Sequence, residues 1–176
     1  MRFFCILAMI KLNQYDFMRK IYCQIDKCLA CKSCELACAI VHSNTKDLVK
    51  AIGETPLPAR YIKVEAVDRS GSLNHHRSIA LQCRQCEDPA CVKACISGGM
   101  SRDEKSNNIV INPDKCVACW SCVMVCPFGV IVRHEGLHKA LKCDHCPGLE
   151  IPACVKACPT KALQYMEQIE IEKVSI

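Results

Sequence analysis

The sequence predicts an α+β fold in which one small module is nested inside another, each built from two duplicated βαβ-type units, with a β-hairpin inserted between them. Three observations predict it. Sixteen of the 18 cysteines fall into four runs of four. The segments around those runs repeat one another, which marks a duplicated unit. Between the first two runs, Tyr61–Val67 alternates apolar and polar residues as a half-buried strand does. A chain of 176 residues has room for one domain or two very small ones.

Residues 1–17 carry an apolar stretch, Phe3–Ile10, with one basic residue ahead of it, no small-x-small cleavage site and no twin arginine. A bilayer span takes about 20 apolar residues, so this stretch spans nothing. We read translation as starting at Met18 and 1–17 as an N-terminal arm. Lys20–Ile25 reads as a strand leading into the first run, Cys28-x2-Cys31-x2-Cys34-x3-Cys38. Residues 43–78 interrupt the repeats. Within them Tyr61–Val67 reads as a strand, Asp68–Leu73 as a turn, and a second strand ends near Leu81.

The second run is Cys83-x2-Cys86-x4-Cys91-x3-Cys95. The residues between Cys95 and Cys116 read as strand, polar turn (Arg102–Asn108) and strand. The third run, Cys116-x2-Cys119-x2-Cys122-x3-Cys126, repeats the spacing of the first, and IYCQIDKCLACKSCELACAI echoes IVINPDKCVACWSCVMVCPF. The fourth is Cys143-x2-Cys146-x7-Cys154-x3-Cys158, and PACVKAC occurs in both the second and the fourth. Ala162–Tyr165 closes the pattern as a strand. The short link between the second and third runs makes them one module, and the first and fourth, each supplying a flanking strand, make the other. The expected organisation is therefore an outer module of 18–42 with 136–176, the insertion of 43–78, and an inner module of 79–135.

The spacing has a chemical reason. Three cysteines close together let a tight loop wrap one face of an iron–sulfur cubane. The fourth follows after x3, one turn along a helix that the third opens, and so reaches a neighbouring cubane about 5–6 Å further along the axis. That is the arrangement of two-cluster ferredoxins. Proline after Cys126 and Cys158 turns the chain, whereas Cys38 and Cys95 lack it, a departure that touches the turn and not the ligands. Structural zinc draws two cysteine pairs together across a dozen or more residues and has no use for a third cysteine two residues after the second. Four ferredoxin-like units therefore predict four [4Fe–4S] clusters. Cys5 and Cys23 are spare thiols.

Composition agrees. Without its cysteines the chain is only about 41% hydrophobic, below the roughly 45–50% of ordinary domains, so its core needs staples. No export signal is readable, which predicts a reducing cytoplasmic setting and metal rather than disulfides. The formal charge of +5 falls to about −3 once four clusters of −2 each are counted, so no nucleic-acid surface is implied. No glycine-rich nucleotide motif and no C-x3-C-x2-C radical motif occurs. With every iron held by thiolate, the chain is expected to carry electrons and not to be an enzyme.

The remaining residues have plainer readings. Lys27, Lys115 and Lys142 each precede a cysteine and read as solvated, although a positive charge there would favour the reduced cluster. His145 reads as a surface or supporting histidine, and His42, His75, His76, His134 and His138 show no metal-site spacing. Trp120, Met124 and Phe128 read as packing around the clusters.

The run C-x2-C-x2-C-E-L-A-C-A-x-x-H-S (Cys28–Ser43), with CRQCEDPAC, CWSCVMVCPFGVI and LKCDHCPG, resembles the iron–sulfur subunit associated with carbon monoxide dehydrogenase. The four-cluster layout is similar to that of electron-transfer subunits of dimethyl-sulfoxide-reductase-like molybdoenzymes and to small subunits of tungsten aldehyde oxidoreductases. The resemblance implies a redox subunit, without a membrane span, that docks on a large catalytic oxidoreductase subunit and passes electrons to or from a second redox protein. A molybdenum or tungsten aldehyde or formate oxidoreductase, or a free polyferredoxin role, is the alternative. It also implies nested ligation: Cys28, Cys31, Cys34 and Cys158 on one cluster; Cys143, Cys146, Cys154 and Cys38 on its neighbour; Cys83, Cys86, Cys91 and Cys126 on a third; Cys116, Cys119, Cys122 and Cys95 on the fourth.

Overall fold

Short strands separated by turn-forming residues favour hairpins over one broad sheet. The computed structural model describes residues 19–67 and 77–167, and it contains four two-stranded antiparallel sheets. The arm of 1–17, the turn expected at Asp68–Leu73, Cys5, His75 and His76 lie outside the described residues. Strand β1 (Arg19–Cys23) pairs with β8 (Leu163–Glu167), Ile21 facing Tyr165 and Cys23 facing Leu163. The Gln24 N–H donates to the Ala162 carbonyl at 2.8 Å and closes that ladder. The first strand ends earlier than expected because a 3₁₀ turn occupies Ile25–Lys27.

Helix α1 (Ser33–Val41) follows the first run. The insertion opens with a short helix that the sequence reading did not anticipate, α2 (Leu48–Ala51), whose Asp47 cap accepts the Val49 and Lys50 N–H groups. Its expected hairpin is β2 (Lys63–Ala66) against β3 (Ser78–Leu81). One carboxylate docks the insertion on α1. Glu35 accepts the Val64 N–H at 2.7 Å and pairs with Arg60 Nε at 3.1 Å.

After α3 (Ala90–Lys93), β4 (Met100–Arg102) and β5 (Ile109–Ile111) form the expected hairpin. Its tip is fixed by Asp103, which accepts from Ser106, and by Arg102, which donates to the Asn107 carbonyl. Gly99 enters β4 so close to the next loop that an added Cβ would sit 3.2 Å from the Cys116 nitrogen. Helix α4 (Ser121–Val125) leads to a second unanticipated feature, the hairpin β6 (Val132–His134) with β7 (Lys139–Leu141). Its strands, VRH and KAL, carry no apolar run that would mark them in sequence. Helix α5 (Ala153–Lys156) precedes β8.

Helix α1 packs on α5, and α3 on α4. Two core clusters result. The larger gathers Ile21, Ile62, Ala80, Val130 and Leu163 around buried cysteines, which make up six of its eleven members. The smaller is built on Met100, Ile109, Cys122, Ile131 and Ala140. Cys126 touches both.

Candidate functional site

The four cysteine loops share a backbone device. The residue immediately before the second cysteine of every run has a left-handed conformation: Ala30 (φ 54°), Gln85 (φ 49°), Ala118 (φ 54°) and His145 (φ 64°). None is glycine, and for such residues this region costs about 1–2 kcal/mol each. A strain repeated at the same place in four loops belongs to what those loops enclose. No residue-type signal announces it, which is why sequence reasoning missed it. In the first and third loops Lys32 (φ 59°) and Trp120 (φ 62°) bend the chain a second time, just before α1 and α4.

The third cysteine is the second residue of its helix in every unit: Cys34, Cys91, Cys122 and Cys154. Only Cys38 lies within a helix as the fourth, because α1 runs on through Val41. The other helices end sooner, leaving Cys126 as the C-cap of α4 and Cys95 and Cys158 just past α3 and α5.

The thiols fall into neighbourhoods. Cys83, Cys86, Cys91 and Cys126 line one small cavity with Ile109, Pro127 and Val130. Cys95, Cys116, Cys119 and Cys122 line another with Met100 and Trp120. Burial, followed by the nearby thiols of Cys38, Cys146 and Cys34, pushes the Cys154 thiol up to about 12. Burial also raises Cys143 well above its ordinary value, with Cys154, Cys38 and Cys83 nearby. Cys34 is pushed up to about 11 by burial, with Glu35 and Cys158 adding to it. Cys28 and Cys158 pack against the same core cluster as Cys34. Cys31 and Cys119 are the exposed members of the sixteen.

Hydrogen-bond donors surround these sulfurs. The Tyr61 N–H reaches Cys38 Sγ at 3.2 Å, and the Met100 N–H reaches Cys95 Sγ at 3.3 Å. A hydroxyl two residues onward accompanies four of the thiols. Ser33 Oγ lies 3.4 Å from Cys31, Ser97 Oγ 3.7 Å from Cys95 and Thr160 Oγ1 3.8 Å from Cys158. The hydroxyls of Ser33 and Ser121 hold the Cys31 and Cys119 thiols below their ordinary value. A deprotonated ligand sulfur only accepts, so each hydroxyl is the donor once the thiol is ionised.

Several expectations change. Lys142 is not solvated: it is 4% exposed, and its Nζ donates to the Cys143 carbonyl at 2.8 Å. Of the two readings of His145, surface or supporting, burial removes the first; both ring nitrogens are unpartnered among the described residues. Burial and then the Lys142 charge lower it to about 4, so the ring is neutral. His42, which lacked a metal-site spacing, comes together with Asp144 and Cys146 through the fold, its Nε2 3.2 Å from Asp144 Oδ1. Met124 is 83% exposed, whereas Trp120 does pack against the smaller core cluster, with the Arg133 guanidinium 4.8 Å from its ring centroid. Cys23 is buried at the end of β1 and accepts the Ala80 N–H at 3.4 Å. A donor set of sixteen thiols in tight loops, a buried ammonium and an orphaned buried imidazole fit an anionic, sulfur-rich group.

Residues 75–168 match the family described as the 4Fe-4S dicluster domain. The chain belongs to that family. Among its similar relatives, an iron-sulfur protein of Rhodospirillum rubrum is 42% identical over 164 residues, covering 84% of this chain and 81% of the relative. The electron transport protein HydN of Escherichia coli is 32% identical over 173 residues, covering 89% and 93%. The B subunit of anaerobic dimethyl sulfoxide reductase of Escherichia coli is 31% identical over 168 residues, covering 92% and 77%. The chain is an electron-transfer iron–sulfur protein rather than a catalyst, in keeping with its dicluster domain and with its similarity to a protein named for electron transport. No helix among the described residues is long and apolar enough to cross a membrane.

Proposed function

We propose that this chain holds four [4Fe–4S] clusters in series and relays single electrons between a large catalytic oxidoreductase subunit and a second redox protein. The observation that carries the reading is the left-handed residue repeated immediately before the second cysteine of all four runs. Cys28, Cys31, Cys34 and Cys158 are assigned to the first cluster, and Cys143, Cys146, Cys154 and Cys38 to the second. Cys83, Cys86, Cys91 and Cys126 are assigned to the third, and Cys116, Cys119, Cys122 and Cys95 to the fourth. The two lined cavities support the last two sets, and the mutual influence of Cys38, Cys143, Cys146 and Cys154 supports the second.

Each cluster, when bound, takes up one electron and passes it on without a proton or an open coordination site. The chain's own residues supply the order. Cys34 beside Cys154 joins the first set to the second, Cys143 beside Cys83 joins the second to the third, and α3 against α4 joins the third to the fourth. The pairing of β1 with β8 and of β4 with β5 supports an outer ferredoxin-like module of 18–42 with 136–176 around an inner one of 79–135. The insertion of 43–78 then contributes the Tyr61 N–H to Cys38.

Cys119 is exposed and lines its cavity with the exposed Val117, and Ile96 and Met124, each close in sequence to a cysteine of the same set, are exposed as well, which suits a partner protein. Carbon monoxide dehydrogenase is the first partner proposed, on the strength of the cysteine-run resemblance. A tungsten or molybdenum aldehyde or formate oxidoreductase comes second, and a free polyferredoxin is the reading without a fixed partner. Sixteen ionisable thiols with no disulfide among the described cysteines favour a reducing cytoplasmic setting. The test is anaerobic purification from the native host, with iron counted per chain and co-purifying subunits identified. About sixteen irons and a large oxidoreductase subunit are expected. Markedly fewer irons, or zinc in their place, would defeat it.

A further inference from the structure

The geometry points to Lys142 as the residue that sets the reduction potential of the two middle clusters, by burying one fixed positive charge at the seam between their cysteine sets. The inference rests on the four-cluster reading above.

Lysine is almost never fully buried unless paired, because removing an ammonium from water is among the costliest burials. Lys142 is 4% exposed, and none of the ion pairs among the described residues includes it. The nearest carboxylate in sequence, Asp144, is committed elsewhere, to the His42 ring and the Cys146 N–H. What Lys142 has is a carbonyl, that of Cys143, which the fully buried Gln85 also approaches with Nε2 at 3.3 Å. Gln85 belongs to the loop of the second run, and its Oε1 accepts the Ile109 N–H at 2.7 Å. The Cys143 carbonyl is therefore bracketed by groups from two different cysteine loops.

A cysteine set lies on each side of that bracket. Gln85 stands between Cys83 and Cys86 of one set, and Lys142 immediately precedes Cys143 of the other. Cys83 and Cys143 are members of one buried core cluster. A carbonyl needs only a neutral donor, which Gln85 already offers. A full cation at this depth has its counterpart in net anionic groups on either side, and it stabilises whichever of them takes an extra electron. Cys31 and Cys119, at the exposed ends, have hydroxyl neighbours instead of a buried charge.

The experiment is a potentiometric titration of the loaded full-length chain followed by electron paramagnetic resonance, with iron counted per chain. The variants are Lys142→Met, Lys142→Gln and Lys142→Arg. In Lys142→Met and Lys142→Gln, two of the four one-electron steps should become at least tenfold less favourable, about 59 mV each. The other two should stay within about twofold of native, and Lys142→Arg should keep all four near native. No movement, equal movement of all four, or native potentials in Lys142→Gln overturns the inference, the last because a neutral donor then suffices. If both uncharged variants lose iron, Lys142→Arg decides: retained iron and potentials support the role of charge, and loss overturns it. A native chain with fewer than four one-electron steps defeats the four-cluster reading itself, before any variant is compared.

Discussion

Replacing Glu35 by alanine removes the carboxylate that docks the insertion beside Cys34 and Cys38, and the cost can be worked from its contacts. Its Oε1 accepts the Val64 N–H at 2.7 Å in a part-buried setting. A hydrogen bond to a charged group contributes about 1.5–3 kcal/mol. Its other oxygen pairs with Arg60 at 3.1 Å, but that guanidinium is 59% exposed, so solvent screening leaves the pair at most about 1 kcal/mol. Glu35→Ala should therefore destabilise the β2–β3 hairpin by about 2–4 kcal/mol, and Glu35→Gln, which keeps an acceptor for Val64, by about half as much. At 1.4 kcal/mol per tenfold, the hairpin should open about 30- to 700-fold more often in the alanine variant. Amide hydrogen exchange of the loaded protein under anaerobic conditions reads this at Val64 and Tyr61. Exchange within twofold of native at both amides would refute the reasoning. So would faster exchange spread evenly over β4 and β5, which do not touch Glu35.

Three further outcomes are expected. Gly99→Val would push a side chain against the backbone of Lys115 and Cys116, only 3.2 Å from an added Cβ, costing about 1–3 kcal/mol and loosening the fourth cluster's loop. Iron should fall by about four per chain, and a full complement would contradict the account. Ser121→Ala removes the hydroxyl donor to Cys119, so one potential should fall by no more than about 59 mV; four unchanged potentials would show that the hydroxyl does not act on a cluster. Stripping iron with a chelator under reducing conditions should abolish cooperative melting, because five of the eleven residues of the larger core cluster, Cys34, Cys38, Cys83, Cys143 and Cys154, are assigned as iron ligands. A sharp transition surviving complete iron removal would mean that the apolar residues suffice alone.

The cysteine runs could be read from the chain because their information is local. Spacings such as Cys116-x2-Cys119-x2-Cys122 fix which thiols share a loop, and the repeat of IYCQIDKC in IVINPDKC fixes the unit. The hairpin β4–β5 was legible because a polar turn leads into the apolar triplet Ile109–Ile111, within the short link between the second and third runs. The hairpin β6–β7 was not, because its strands, VRH and KAL, hold no apolar run like that of β5, and helix α2 is a single four-residue turn.

By itself, then, the sequence determined the cysteine runs, the repeated segments around them and the electron-carrying role. These depend on neighbours a few residues apart, and helix and loop geometry converts such spacings directly into positions. Tertiary structure alone decided which side chains meet across long separations. It brought Val64 to Glu35, His42 to Asp144 and Gln85 to Cys143, and it carried Lys142 out of water. Burial and long-range contact arise from how elements pack, so a lysine before a cysteine reads the same in sequence whether it ends in solvent or in the core.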